Sequence, residues 1–403
     1  MGLTTTTATG LVDGEVHNPH VGQAGLRLAP QVLALSLILC SWASSVSSQE
    51  PATSRGTVLT PALVGTADVP FSTARTIALL ANGRTACVVD SYDYRVRCVD
   101  PDGSVVGVFG REGEGPGEFE FPSDLSRGES GSVGVFDMGL GRFTIFEPDG
   151  TQVLATVRLP GSGDLDPTGA FGESVLGIET NREPDAYVAG AARSGFQTLY
   201  EFDIASGMVL RKEELPPVPV QVDCGRIMYG RPNPRGGWVF LACEGHVVFL
   251  AEDGTTTLTQ APTYRKELPT ELDVAEYVAE RQRFAEMGLP MSQERLDEYG
   301  KTPKRYQLAP NKHGFDADGR WWIATLRDHR EFSYLDVFCD GRYVGTVQVR
   351  GRLWGFDILE SRLAVVVDRL AGSDDETSAI SNRRVNWYDI GGLTWQSPSA
   401  CSQ

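Results

Sequence analysis

The stretch from Asp90 to Gly110, DSYDYRVRCVDPDGSVVGVFG, returns 47 residues later as Asp137 to Val157, DMGLGRFTIFEPDGTQVLATV. Asp90 aligns with Asp137, Arg95 with Arg142, and Pro101-Asp102-Gly103 with Pro148-Asp149-Gly150. In each copy an apolar run leads through an Asp-Gly turn into a second apolar run, the pattern of a β-hairpin. A unit this short cannot bury its own apolar faces, so it must stack against neighbours. The same run into an acidic turn and a glycine recurs as YEFDIASG to Gly207, VVFLAEDG to Gly254, LDVFCDG to Gly341 and VNWYDIGG to Gly391. From Gly103 onward the spacings are 47, 57, 47, 87 and 50 residues. A period of about 40–50 residues with several strands per unit belongs to a β-propeller. Six turns predict an all-β, six-bladed β-propeller of four-stranded antiparallel blades, with an insertion in the long spacing between blades four and five.

Composition bears on the class of partner. A chain of 403 residues usually divides into domains, but a propeller over residues 55–395 is one closed unit. The 45 glycines and 23 prolines supply its many turns. Formal net charge is −17; the first 48 residues hold Asp13, Glu15 and Arg27, contributing −1, so −16 remains on the rest. That balance argues against nucleic acid and against anionic membrane surfaces as partners.

Residues 1–48 read as a signal peptide with an upstream extension. Arg27 precedes the apolar core Val32 to Cys40 (VLALSLILC), and small residues lead to a cleavage site after Ser48 or Ala43. The core is too short to span a bilayer, so no membrane span is expected after cleavage. Residues 1–26 lack basic charge, and translation from Val21 is one way to account for them. Export to the periplasm or the extracellular space is the expectation; the alternative is a disordered tail on a cytosolic protein.

The cysteines fit export. Cys87 in ACVVD and Cys98 in RVRCVD flank a loop at about residues 91–94, which places them opposite one another on antiparallel strands. Cys224 and Cys243 have the same symmetry about Asn233-Pro234-Arg235. Cys339 and Cys401 remain, and would tie the C-terminal tail (396–403) to blade five. Six cysteines allow 15 pairings, so the connectivity stays open, as do free thiols.

Residues 55–70 contain a strand that can complete blade six, which has three good strands of its own. Such closure removes open sheet edges. Between blades one and two, Gly110 to Pro122 (GREGEGPGEFEFP) lacks the Lys-Ser/Thr ending of a phosphate loop and is read as a structural crossover. Together, D-x4-R-V-x-x-x-D-x-x-G and the following FG-x-x-G-x-G-P-G-E-F-x-x-P resemble the NHL-type six-bladed β-propellers, in particular exported bacterial members. The resemblance covers residues 75–160. It implies a propeller with one ligand- or protein-binding face, and no particular reaction.

Ala81-Asn82-Gly83-Arg84 and Ala317-Asp318-Gly319-Arg320 read as one inner-hairpin turn occurring twice. Asp90, Asp137 and Asp368 end second strands while Arg95, Arg142 and Arg384 begin third ones, which predicts a carboxylate–guanidinium brace over each loop. In the insertion, residues 264–306, Thr270 and Asp273 form a capping box ahead of Val274, Tyr277, Val278 and Phe284, and SQERLDEY from Ser292 reads as a second helix ended by Gly300. This pair is expected to pack across one face, as a decoration of the rim or as a lid or docking element.

Catalytic constellations are scarce. Of five histidines only His246, His313 and His329 follow the signal region, and only His313 precedes an inner strand, which does not make a three-histidine zinc site. No G-x-S-x-G elbow occurs. Trp321-Trp322 read as core aromatics. The expected function is a non-catalytic module that binds a protein or small molecule on one face, acting as a monomer with no cofactor, no metal and no catalytic residue. Its working surface is placed on the blade-crossing loops, at Arg111, Phe119, His313, Arg327 and His329. The alternatives are a calcium-dependent lactonase- or hydrolase-like propeller, with Asp316 or Glu118 at the channel mouth, and a structural partner in an envelope assembly.

Overall fold

In a computed structural model of the chain, the described residues are 56–69, 71, 73–158, 165–167, 169–180, 197–216, 227–242, 246–265, 267–286, 293–304, 313–327, 331–368, 383–396 and 401. The expected signal region, Cys224, Cys243 and His329 lie outside them. Two N-terminal strands, β1 (Val58–Leu59) and β2 (Ala62–Ala67), come first. Blade one is β3 (Ala74–Leu79), β4 (Ala86–Asp90), β5 (Arg95–Val99) and β6 (Val105–Phe109). Blade two is β7 (Pro122–Arg127), β8 (Val133–Asp137), β9 (Arg142–Phe146) and β10 (Val153–Arg158). Blade three is β11 (Leu165–Pro167), β12 (Ser174–Thr180), β13 (Gln197–Asp203) and β14 (Val209–Glu214). Blade four is β15 (Ile227–Pro232), β16 (Trp238–Ala242), β17 (His246–Leu250) and β18 (Thr256–Gln260). Blade five holds β19 (His313–Phe315), β20 (Trp321–Ala324), β21 (Phe332–Cys339) and β22 (Arg342–Arg350). Blade six holds β23 (Leu353–Leu359), β24 (Arg362–Asp368) and β25 (Arg383–Asp389). The chain is a six-bladed β-propeller.

Side-chain alternation makes the blades stack. All of β4 is buried, because its two faces point at two different neighbours. Ala86 and Val88 pack with Ala364, Val366, Val385 and Trp387 of blade six. Cys87 and Val89 pack with Leu125, Val133 and Val135 of blade two. Trp321 and Trp322 divide the same way: Trp321 joins Val239, Leu241 and Val247 of blade four, while Trp322 joins Leu363, Val365 and Val367 of blade six. Each fully buried large side chain of this kind contributes about 1.5–3 kcal/mol. The inner strands come very close; a Cβ on Gly355 would lie 2.0 Å from the Arg75 carbonyl oxygen.

Closure uses both chain ends. β2 pairs antiparallel with β25 and completes blade six, as the strand content of residues 55–70 predicts. The same segment contains a second, unforeseen strand: β1 adds in parallel to the outer edge of blade five. The C-terminal segment then returns across blade five, where Trp395 meets the Trp322 ring edge-on at 5.4 Å and Cys401 bonds Cys339. Cys87 and Cys98 are directly opposed on β4 and β5 and are also joined. Gly83 and Gly319 both have positive φ, 62° and 74°, as their matched turns require.

The expected Asp–Arg braces take a different form. Asp90 and Arg95 are register partners, as are Asp137 and Arg142. Yet Asp90 accepts from the Thr73 N–H (2.9 Å) and from the Arg97 guanidinium (2.9 Å). Asp137 accepts the N–H groups of Glu120 (2.8 Å), Phe121 (3.0 Å) and Leu140 (3.0 Å), while Arg142 donates to the carbonyls of Glu114, Gly115 and Glu118, each at 2.7 Å. Register sets which Cα atoms face each other, but a buried carboxylate goes to unpaired backbone N–H groups nearby. Each aspartate therefore fastens the segment leading into an inner strand. In blade six Arg383, not Arg384, approaches Asp368, at 3.6 Å.

The insertion holds α1 (Glu271–Glu286) and α2 (Gln293–Tyr299). Asp273 accepts from the Thr270 N–H (2.6 Å) and hydroxyl (2.8 Å), and the Asp273 N–H donates to the Thr270 hydroxyl (3.2 Å), completing the capping box. Lys304 pairs with Asp273 at 2.8 Å, and Tyr277 stacks on Tyr299 at 3.9 Å. Glu276 reaches Arg352, at the root of blade six, at 2.6 Å. Among the described residues no helix is long and apolar enough to cross a membrane.

Candidate functional site

Inner strands from all six blades enclose a cavity of about 460 Å³ on the central axis. Ligand sites are typically of about this size, mostly apolar with a few convergent polar groups. The walls here are Ile77, Leu125, Leu176, Phe315, Phe356 and Ile358. The lining extends to the first turns of blades four and five, at Asn233, Pro234 and Asp316.

Several of its polar groups are fastened by hydrogen bonds and ion pairs to the chain. Arg127 pairs with Asp357 at 2.5 Å and donates to the Ile358 carbonyl at 3.1 Å; Asp357 also accepts the N–H of Leu79 at 2.8 Å. Burial raises the Asp357 carboxyl in spite of these partners. Asp316 accepts from Arg320 (2.6 Å) and from the Trp322 indole (2.7 Å).

Asp124, Arg231 and His313 also line the cavity, each more than nine-tenths buried. They arrive from blades two, four and five, so the closing of the ring brings them together. Burial pushes the Asp124 carboxyl up to about 6, with the Ser123 hydroxyl and the Arg231 charge pulling the other way. Burial also holds His313 well below the ordinary histidine range, helped by the same Arg231 charge, so its imidazole is neutral at physiological pH. The His313 ring stands edge-on to Trp321 at 5.9 Å, and its buried Nε2 has no hydrogen-bond partner. A carboxyl that titrates near neutrality beside a neutral imidazole and a guanidinium can donate or accept a proton and pair with either charge.

Of the four described residues placed on the working surface from sequence, only His313 lines this cavity, and His329 lies outside the described residues. Arg111 is exposed and donates to Glu118 at 2.6 Å. Phe119 is fully buried, 5.9 Å from Phe146. Arg327 donates to the Thr263 carbonyl and to Asp336 (3.3 Å) and lies 4.7 Å over the Tyr334 ring. Asp124, Arg127, Arg231 and Asp357 were not among the sequence candidates. Their signal is a charge within an inner strand: one each in IMYGRP and LWGFDIL, and two in PSDLSR. Among the described residues, no three His, Cys, Asp or Glu side chains gather as a metal site would require.

No protein-family model matches the chain, and no curated protein matches it. Solved structures of similar shape include regucalcin, a calcium-binding protein of Agrobacterium tumefaciens, at 13% identity over 84% of this chain and 98% of that one, TM-score 0.42. Virginiamycin B lyase of Staphylococcus aureus is similar at 8% identity over 79% and 95%, TM-score 0.42. The Cps50 (Swd1) β-propeller domain of Myceliophteria thermophila is similar at 11% identity over 81% and 99%, TM-score 0.42. These likenesses say nothing about activity, and the blade count stands on the strand pairing itself.

Proposed function

We propose that the chain is an exported, monomeric, non-catalytic binding module that holds a small organic molecule in the central channel. The observation that carries this reading is the axial cavity, with apolar walls and the convergent Asp124, Arg231 and His313. Arg127, Asp357 and Asp316 around it are held by protein partners, which is how a binding site keeps its shape without ligand. The Cys87–Cys98 and Cys339–Cys401 bonds support an oxidising compartment. The NHL-type pattern of residues 75–160 supports the same architecture, at the level of resemblance.

The test is a thermal-shift screen of a metabolite panel on the mature chain, repeated with Arg231→Met. A compound that raises the melting temperature of the wild type and not of the variant is the expected result. Compounds that stabilise both equally would place binding elsewhere and overturn the reading.

A second reading is a hydrolase-like propeller, in which the Asp124 carboxyl, raised to about 6 by burial, would act as a base with His313 in the same cavity. If that enzyme needs calcium, the ion should raise the melting temperature by several degrees and a chelator should reverse it. No shift with either returns the preference to the binding module.

A further inference from the structure

We propose that the Cys339–Cys401 bond is a reducible clasp on the wall of the axial cavity, opened by a partner of the dithiol reductant class. The clasp stands on contacts within the protein; its effect on binding rests on the reading of the cavity as a ligand site.

Two of the turns that line the cavity touch the C-terminal segment. The turn of blade four contributes Asn233 and Pro234 to the lining, and the turn of blade five contributes Asp316. Arg235, next in the first turn, donates to the Cys401 carbonyl at 3.0 Å and pairs at 3.1 Å with Asp340, the neighbour of Cys339. Its stem crosses the second turn, where a Cβ on Gly319 would lie 2.6 Å from the Arg235 Cδ. Arg320, which follows that turn, donates to Asp316 at 2.6 Å and lies 4.7 Å over the Trp395 ring. Trp395 stands against Trp322, whose indole donates to the same Asp316. A continuous set of contacts therefore runs from Cys401 and Trp395 through Arg235 and Arg320 to the cavity wall. The matched turn in blade one is an internal control, because its Arg84 pairs with Asp100 and Asp102 of its own blade.

The two described disulfides differ in what else holds their cysteines. Cys87 and Cys98 are fully buried and directly opposed on paired strands, so the blade keeps them together with or without the bond. Cys339 is also fully buried, but Cys401 is half-buried and lies beyond β25. An incoming thiolate therefore has its easiest access at the Cys401 sulfur. The donor thiolate bonds to that sulfur while Cys339 leaves and takes a proton. The donor's second thiol then displaces Cys401, which takes a proton in turn. Two electrons and two protons pass to the protein, and the dithiol becomes a disulfide. Without the bond the segment keeps to blade five through weaker contacts, such as the Gln396 N–H to the Val344 carbonyl at 3.0 Å. Arg235 and Arg320 then each lose a fixed partner, and the two turns loosen together.

The test titrates the mature chain with dithiothreitol, alkylates it for mass spectrometry and follows hydrogen exchange in the same samples. Cys339 and Cys401 should label at lower reductant than Cys87 and Cys98. Once they are reduced, the amides of Gly236 and Gly319, which donate to the carbonyls of Asn233 and Asp316, should exchange at least about fivefold faster. The Gly83 amide of the blade-one turn should not change. Cys401→Ser should reproduce the faster exchange without reductant, and Trp395→Ala should accelerate Gly319 with the bond intact. If Cys401→Ser does not fold, the reduced and alkylated wild type serves the same comparison. Labelling of Cys87 and Cys98 at equal or lower reductant, or unchanged exchange at Gly236 and Gly319, overturns the clasp. Faster exchange in a protein that no compound of the metabolite panel stabilises keeps the clasp and removes the ligand reading. A compound that depends on Arg231 and stabilises the oxidised wild type and Cys401→Ser equally keeps the ligand reading and overturns control of binding by the clasp.

Discussion

Asp124, in the channel wall, and Asp273, at the root of the helical insertion, are both buried carboxyls with a cation nearby, Arg231 in one case and Lys304 in the other. At Asp273 burial alone would raise the carboxyl. The Lys304 ammonium and the N–H and hydroxyl of Thr270 outweigh it and hold the group at about 2. At Asp124 burial wins over Ser123 and Arg231, and the group rises to about 6. Near neutral pH Asp273 is therefore an ionised strut, fully engaged with its own chain, whereas Asp124 carries a charge that its surroundings tolerate poorly. A fold retains such a group at a cost in stability, and the cavity it faces gives the reason.

The sharpest way to break this contrast is Asp273→Ala. It leaves the Lys304 ammonium buried without its anion and strips the cap from α1, so the insertion should lose about 3–5 kcal/mol. Hydrogen exchange of the amides between residues 271 and 299 reads that loss directly. A loss below about 1 kcal/mol would make Asp273 an ordinary surface carboxylate and erase the distinction.

Asp124→Asn should act in the opposite direction, with a gain of about 2–3 kcal/mol at pH 7. The unfolded carboxyl loses its proton near its ordinary value of 3.8, the folded one near 6. Between those values the folded state binds more protons, so wild-type stability falls as pH rises through the window and the full penalty stands above it. The variant, which mimics the protonated carboxyl, should match the wild type at pH 3 and exceed it at pH 7 in denaturant melts. Asp273 has the reverse sign. Its stabilisation is complete above the ordinary carboxylate range and drains away as pH falls toward 2.

Smaller substitutions sharpen the same contrast. Thr270→Ala removes the hydroxyl that closes the capping box and should cost about 1 kcal/mol, again seen in exchange from α1. Ser123→Ala should cost no more than about 1 kcal/mol and move the Asp124 titration further upward, because the hydrogen bond it removes favours the anion.

The architecture was largely legible in the sequence, and the site was not. Asp-Gly turns such as Asp102-Gly103 and Asp149-Gly150 repeat because each blade needs the same tight connection, so counting them counts blades. The Cys87–Cys98 pair and the Thr270–Asp273 cap were readable because both depend on residues close in the chain. The strand completing blade six was readable from the missing fourth strand, while β1 was not, since two residues carry no period. Asp124, Arg231 and His313 are separated by 107 and 82 residues, and nothing local marks their meeting. It follows only from which inner-strand positions face the axis. The Asp–Arg braces went astray for a related reason: cross-strand register was legible, but the backbone N–H groups that draw in Asp90 and Asp137 come from the crossover preceding each inner strand.

The account turns on Asp124 being a carboxyl that burial holds out of its ordinary range and that a ligand can relieve. Carbon-13 NMR titration of selectively labelled aspartates, with Asp124 assigned by the Asp124→Asn variant, measures this directly. The predicted result is an inflection at about 6 for Asp124 in the free protein, beside one at about 2 for Asp273. An Asp124 inflection at or below the ordinary 3.8 would show a carboxylate already satisfied by its own chain, and would contradict the account.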